Sequence, residues 1–368
     1  MTLPSRLAAT AALLTLTIAA RADFHYTLTD LGTVGATYSY GTAINNAGTV
    51  AGYLDYTSTG TKIAFVAVGD AAQPIGTLGG TESRALGLND AGQVVGYSFP
   101  ASGNYHAFIY AHGTFTDLGT LGGGASYGYA INQSGQATGY STVTSQAPHA
   151  FLYAGGVMTD LGLLPGGLSS NGQAINASGQ VAGSATLANA HSRAVLFSGG
   201  AALDLGTLGG ANSYAYGLND AGQVVGYSNT AAGPNRAFLF TDGALTSLGA
   251  FGPSLDSYAT AINNLGDVIG YAGTATNGNH GFISSAGTLY DLNDFITGAS
   301  GYTVTVPYAI NDLGQIAAAA HDPFGYTHAV LLTPSQISPS LATIPEPSAA
   351  ALLAAAVALA VAVPRRRR

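Results

Sequence analysis

A pattern of small, apolar and turn-forming residues recurs seven times along the chain. Each copy holds an Ile/Leu-Asn-x-x-Gly turn, built on Asn45, Asn89, Asn132, Asn176, Asn219, Asn263 and Asn311. Successive Asn residues stand 44, 43, 44, 43, 44 and 48 positions apart. A fixed period of this size marks a repeat architecture. In the second copy, Gly76 to Gly119, the run Ala85-Leu86-Gly87-Leu88 alternates small and large, as a strand with two unlike faces does. Asn89-Asp90-Ala91-Gly92 reads as a tight turn, because Asn bonds its own backbone and Gly takes positive φ. Gln93 to Ser98, His106 to Tyr110 and Phe115 to Leu118 read as three further strands. Four strands in about 44 residues match a propeller blade of roughly 40–50.

The two ends of the array complement each other. The seventh copy stops after its third strand, His328-Ala329-Val330-Leu331-Leu332. Ahead of the first copy, His25 to Gly32 matches the fourth strand of the other units. A ring closed by this N-terminal strand leaves only short blade edges, whereas an open solenoid needs capping ends instead. The expected fold is therefore all-β: a seven-bladed β-propeller of four-stranded antiparallel blades, closed by an N-terminal strand. Its inner strands carry a small residue two places before each Asn (Ala43, Gly87, Ala130) and a branched apolar one just before it (Ile44, Leu88, Ile131). A crowded central strand requires both.

Composition supports an ordered, exported chain. Charged residues make up 8% of it and apolar ones 47%, which excludes a hydrophilic disordered chain. Without Cys, neither disulfides nor thiolate metal sites are available. Arg6, the apolar run Leu7 to Ala20 and the small-x-small exit Ala20-Arg21-Ala22 read as a signal peptide over 1–22, cleaved after Ala22. The propeller is expected over 23–334, followed by a linker at 335–344. The segment 345–368 opens with Pro345-Glu346-Pro347, continues as an uncharged run over 348–363 and ends in Arg365 to Arg368. Sixteen apolar residues span about 24 Å as a helix, a short transmembrane segment that a basic stop holds on the cytoplasmic side.

This C-terminal arrangement resembles the PEP-CTERM sorting signal. The resemblance implies an exosortase-type partner that recognises Pro345-Glu346-Pro347 and removes the tail after transient insertion in the inner membrane, in a setting of exopolysaccharide and biofilm. Without both end segments, Lys62, Arg84, Arg193 and Arg236 face seventeen acidic residues, a net charge of −13. Such a domain repels nucleic acid, which is bound largely through Lys and Arg. The tripeptide His106-Ala107-Phe108 recurs as His149-Ala150-Phe151 and varies to Arg236-Ala237-Phe238, His280-Gly281-Phe282, His328-Ala329-Val330 and Arg193-Ala194-Val195. Together with Asp117-Leu118-Gly119-Thr120-Leu121-Gly122-Gly123 it resembles the extracellular repeats named for His-Ala-Phe, which implies secretion and a repeat array but no activity.

Candidate chemistry is sparse. The aligned histidines His106, His149, His280 and His328 share one blade position, which holds Ile63, Arg193 and Arg236 in the other copies; they lie too far apart around a ring for shared metal ligation and read as solvated or backbone-bonded strand starts. Asp30, Asp117, Asp160, Asp204 and Asp291 recur where the fourth strand ends and read as turn stabilisers. Asn89-Asp90 and Asn219-Asp220 lack the dense acidic ligands of a calcium loop, so structural calcium is weighed and no cofactor is expected. No serine-nucleophile elbow, zinc-protease motif or phosphate loop is present. The candidate surface is aromatic: five places before the Asn lie Tyr40, Arg84, Tyr127, Asn171, Tyr214, Tyr258 and Val306, and three before lie Tyr129, Tyr216 and Tyr308 among others. Tyr pairs an apolar face with a hydroxyl, which suits either sugar stacking or packing between blades. The sequence thus points to an exported, non-catalytic surface or matrix protein, with a lectin-like propeller as the alternative. A propeller glycosidase or lyase would need a pair of carboxylates. Glu82, the sole Glu outside the sorting motif, has no evident partner.

Overall fold

The computed structural model describes residues 25–335, apart from 277, 286 and 298–300. The expected processing sites at Ala22 and Pro345-Glu346-Pro347, and the apolar run 348–363, lie outside the described residues. Among the described residues no helix is long and apolar enough to cross a membrane. The chain divides into a main unit, Tyr26–Pro334, and a second one, Met1–His25 with Ser335–Arg368, of which only His25 and Ser335 are described. The main unit is the expected seven-bladed β-propeller. Its second blade consists of Gly79–Leu88, Val94–Pro100, His106–Ala111 and Thr114–Asp117, from the axis outwards. The inner strand begins at Gly79, ahead of the alternating run at Ala85, because its glycines lie flat against the second strand. A Cβ on Gly80 would stand 2.6 Å from the carbonyl oxygens of Phe99 and Pro100.

The seventh sheet closes the ring. From its outer edge inwards it runs Ile296–Thr297, His25–Asp30, Thr327–Ser335, Ile316–His321 and Thr303–Ile310. The N-terminal strand therefore fills the fourth place of the last blade, as the complementary ends require. Ile296–Thr297 adds a fifth, parallel strand through Tyr26↔Ile296 and Thr27↔Thr297. This strand and the 3-10 turn Leu292–Phe295 arise from residues that lengthen the last period to 48. Asp30 latches the closure. Its Oδ2 lies 2.8 Å from His328 Nδ1 and accepts from Tyr302 Oη at 2.8 Å, while Oδ1 accepts the Gly32 N–H at 2.8 Å.

Each residue of the His-Ala-Phe tripeptide has its own contact. His106, His149 and His280 place Nδ1 at 2.8, 2.8 and 2.6 Å from Asp117, Asp160 and Asp291, eleven residues on in the fourth strand. The histidines are thus paired with the repeated aspartates, where the sequence pointed to solvated or backbone-bonded strand starts. Arg193 takes the same place beside Asp204 at 3.7 Å. Each Asp also stabilises its turn as expected; Asp117 accepts the Gly119 N–H at 2.8 Å. The buried Ala rivets one blade to the next. Ala107 N–H donates to Ser126 Oγ, and that hydroxyl donates back to Gly119 O. Phe108 is fully buried, and a Cβ on Gly96 of the second strand would stand 3.0 Å from its ring. Emptying such a site costs about 3–5 kcal/mol.

The Asn turns join in a second, tighter ring. Asn45 Nδ2 donates to Asn89 O, and the pattern steps through Asn132, Asn176, Asn219, Asn263 and Asn311 back to Asn45 O, at 2.9–3.3 Å. The same side chain's Oδ1 holds its own turn: in Asn132 it accepts the N–H groups of Ser134 and Gln136. The turn role was expected; the link between blades is additional. Small residues behind it let neighbouring strands meet, since a Cβ on Gly87 would lie 3.0 Å from Tyr129 O.

Asp30→Ala should lower the stability of the whole ring in a single urea transition, by roughly 2–3 kcal/mol. Asp117→Ala, whose His106 partner is in its own blade, should cost about 1 kcal/mol. Equal losses in circular-dichroism melts would contradict a latch at Asp30.

Candidate ligand-binding site

Two cavities gather side chains from around the ring. The smaller, ≈350 Å³, is lined by the Asn turns and the Ile/Leu residues before them. Its polar atoms are committed to the scaffold: Asp90, Asp220 and Asp312 each accept a backbone N–H from the neighbouring blade, at 2.8, 2.8 and 2.9 Å. The Asn-Asp pairs weighed for calcium thus fasten blades together. Among the described residues no three His, Cys, Asp or Glu come close enough to hold a metal.

The larger cavity, ≈650 Å³, is set by a β-bulge three residues before each Asn. In the first blade Gly41 pairs with Gly52 and Ala43 with Ala51, which leaves Thr42 unpaired. The same shift falls at Leu86, Tyr129, Gln173, Tyr216, Thr260 and Tyr308. A bulge re-aims its side chain, and all seven of these line the cavity. In six blades a glycine in the second strand makes room for it, and the seventh has Ala318 there. A Cβ on Gly52 or Gly139 would lie 1.8 Å from the carbonyl oxygen of Tyr40 or Tyr127.

Of the residues five places before the Asn, Arg84, Tyr258 and Val306 line the cavity. Tyr40, Tyr127 and Tyr214 stand behind it, stacked at 4.8, 4.7 and 4.9 Å on Tyr53, Tyr140 and Tyr227 of the second strand. Asn171 is likewise internal, its Oδ1 accepting from the N–H and hydroxyl of Ser184. Sequence reasoning missed Tyr53, Tyr97, Tyr227 and Tyr271, which complete the lining. The available signal was a Tyr directly after the second-strand Gly in five copies (Gly52, Gly96, Gly139, Gly226, Gly270). Edge-to-face contacts join blades at Tyr97–Tyr127 and Tyr227–Tyr258, 4.9 and 4.8 Å apart. The aromatic belt is broken at two places, Asn171 with Ser184 and Val306 with Ala319.

Burial pushes the hydroxyls of Tyr53, Tyr129 and Tyr227 above the ordinary phenol range, and those of Tyr140 and Tyr308 up to about 12. They are neutral donors and acceptors at physiological pH. Arg84 is the one charged residue in the lining, with Cζ 5.1 Å from the Tyr53 ring centroid and 5.6 Å from that of Tyr97. The cavity therefore offers ring faces, hydroxyls and amides around a single cation, with no carboxylate or imidazole among its lining residues.

Neither a protein-family model nor a curated protein matches the chain. Solved structures do. The chain is similar to the β-propeller domain of the trilobed protease from Pyrococcus furiosus, at 6% identity and a TM-score of 0.54, over 82% of this chain and 96% of that one. It is similar to a puromycin-hydrolyzing peptidase from Mycobacterium tuberculosis, at 11% identity and a TM-score of 0.54, over 85% of this chain and 56% of the peptidase. TolB from Acinetobacter baumannii aligns at 15% identity and a TM-score of 0.42, over 66% of this chain and 63% of that one. The chain spans less than two thirds of the length of the last two. The first two likenesses, at 6% and 11% identity, carry the fold alone.

The raised phenols set an alkaline limit. As pH climbs through 10.0 the unfolded chain ionises while the folded one keeps its protons, so stability falls with pH. It should be level below pH 10 on this account and decline from 10 towards 12. Urea midpoints that stay constant over that window would contradict the buried, neutral hydroxyls.

Proposed function

We propose that this is an exported, non-catalytic propeller that holds a glycan in its tyrosine-lined cavity and works within an exopolysaccharide matrix. The observation that carries the binding half is the ≈650 Å³ cavity, within the roughly 300–1,000 Å³ of small-molecule sites. Tyrosine faces stack on the apolar faces of sugar rings, while hydroxyls, Gln173 and Asn279 supply hydrogen bonds at the edge. Variation between the copies supports a site here. The residue before each Asn is always Ile or Leu, but the bulge residue is Thr, Leu, Tyr or Gln. Uniform positions hold the ring, and varied ones are free to shape one asymmetric pocket.

A non-catalytic role is supported by the lining chemistry, since glycoside cleavage uses two facing carboxylates. Glu82 accepts the Tyr105 hydroxyl at 2.8 Å and is not among the lining residues. Export and sorting rest on the signal-peptide pattern and on the PEP-CTERM resemblance, with an exosortase-type enzyme as the processing partner.

Residues 23–344, the propeller with its linker, should bind polysaccharide from an exopolysaccharide-producing host saturably in calorimetric titration. Tyr216→Ala with Tyr227→Ala should weaken binding at least about tenfold, as loss of two stacking faces does. Absence of binding would leave a structural role, with the tyrosines as packing. In the full chain, Glu346→Gln should leave an uncleaved species, visible by intact mass, and normal processing would sink the sorting assignment.

A further inference from the structure

We propose that the cavity selects a glycan unit bearing a carboxylate, and that Arg84 is the residue that pairs with it. This assignment rests on the glycan-binding reading and narrows its ligand to acidic sugars.

Arg84 differs from the other basic residues of the propeller. Lys62 pairs with Asp55 at 3.3 Å, and Arg193 lies against Asp204 and donates to Ala211 O. Arg236 donates to the carbonyl oxygens of Asn235 and Leu255. Among the described residues Arg84 forms no ion pair, and its Nε is buried without a hydrogen-bond partner. The rings of Tyr53 and Tyr97 hold the guanidinium instead. Aromatic faces attract a cation but leave its N–H donors unspent. A partly desolvated cation without an anion is costly, and the matching partner for a planar fork is a carboxylate held by two parallel bonds.

The surroundings narrow the class further. A pyranose ring fits against the tyrosine faces, and the hydroxyls and the amides of Gln173 and Asn279 suit its own hydroxyls. The propeller carries an excess of acidic residues, so its long-range field opposes a dense polyanion. A polymer in which uronic acid units alternate with neutral sugars meets both conditions: one local carboxylate for Arg84 and modest overall charge.

The test compares host exopolysaccharide with the same material after its carboxyls are reduced to hydroxymethyl groups, with methyl glucuronide and methyl glucoside as competitors. The unmodified protein should bind the reduced polymer roughly ten- to a hundredfold more weakly, and methyl glucuronide alone should compete. Arg84→Gln should lose the same factor for the acidic polymer, so that the variant no longer tells the two polymers apart. Arg84→Lys should recover part of the difference, because it restores charge but not the fork. Equal affinity for both polymers would overturn the carboxylate assignment and leave glycan binding standing. Binding to neither would overturn both. Competition by a tetraglutamate peptide as strong as that by methyl glucuronide would overturn the sugar class. The polymer comparison needs no substitution, so it decides even if Arg84→Gln fails to fold.

Discussion

The amide of the repeat Asn is the interaction on which the propeller turns. Its oxygen fixes the local turn and its nitrogen reaches the next blade's carbonyl, so one side chain sets both the end of an inner strand and its distance from its neighbour. The seven residues are buried, at 1–6% exposure, where an unpaired amide would cost about 1–3 kcal/mol. Asp would keep the turn but set oxygen against oxygen, and Gln would overshoot. The near-constant period follows, since each unit must return an Asn to the axis. Where the last unit runs to 48 residues, the surplus lies at the outer edge and leaves the inner ring undisturbed.

Fixing one end of the inner strands leaves the other free to vary. The bulge three residues earlier turns a packed position into a lining one, and the second-strand glycine makes that turn sterically accessible. In blades one, two, three, five and six, tyrosines or Arg84 occupy the facing pairs; blades four and seven carry Asn171 with Ser184 and Val306 with Ala319. A fold with near sevenfold repetition thus acquires a site without sevenfold symmetry. A single cation within it gives the cavity a direction.

Much of this was legible in the sequence. The period, the orphan strand at His25 and the truncated seventh unit together specified the closed ring. The role of the histidines was only half legible. His106, His149 and His280 each stand eleven residues before an Asp, and the blade with Ile63 in place of His has Pro74 in place of that Asp. That internal covariation marks a pair, but each residue also has a self-sufficient local explanation. The cavity was visible as aromatic, with its emphasis two positions too early along the inner strand. A period-of-two reading puts residues three and five before the Asn on the same face, and only the bulge decides which of them meets the cavity. Counting back from the Asn also passed over Tyr53, Tyr97, Tyr227 and Tyr271, which lie on the strand that follows it.

The most direct measurement is a crystal structure of residues 23–344 soaked with an acidic oligosaccharide cut from the host polymer. Density should lie in the tyrosine-lined cavity, with a sugar ring on a Tyr face and a carboxylate against Arg84. Ordered sugar bound anywhere else on the propeller, with that cavity holding only water, would contradict the account.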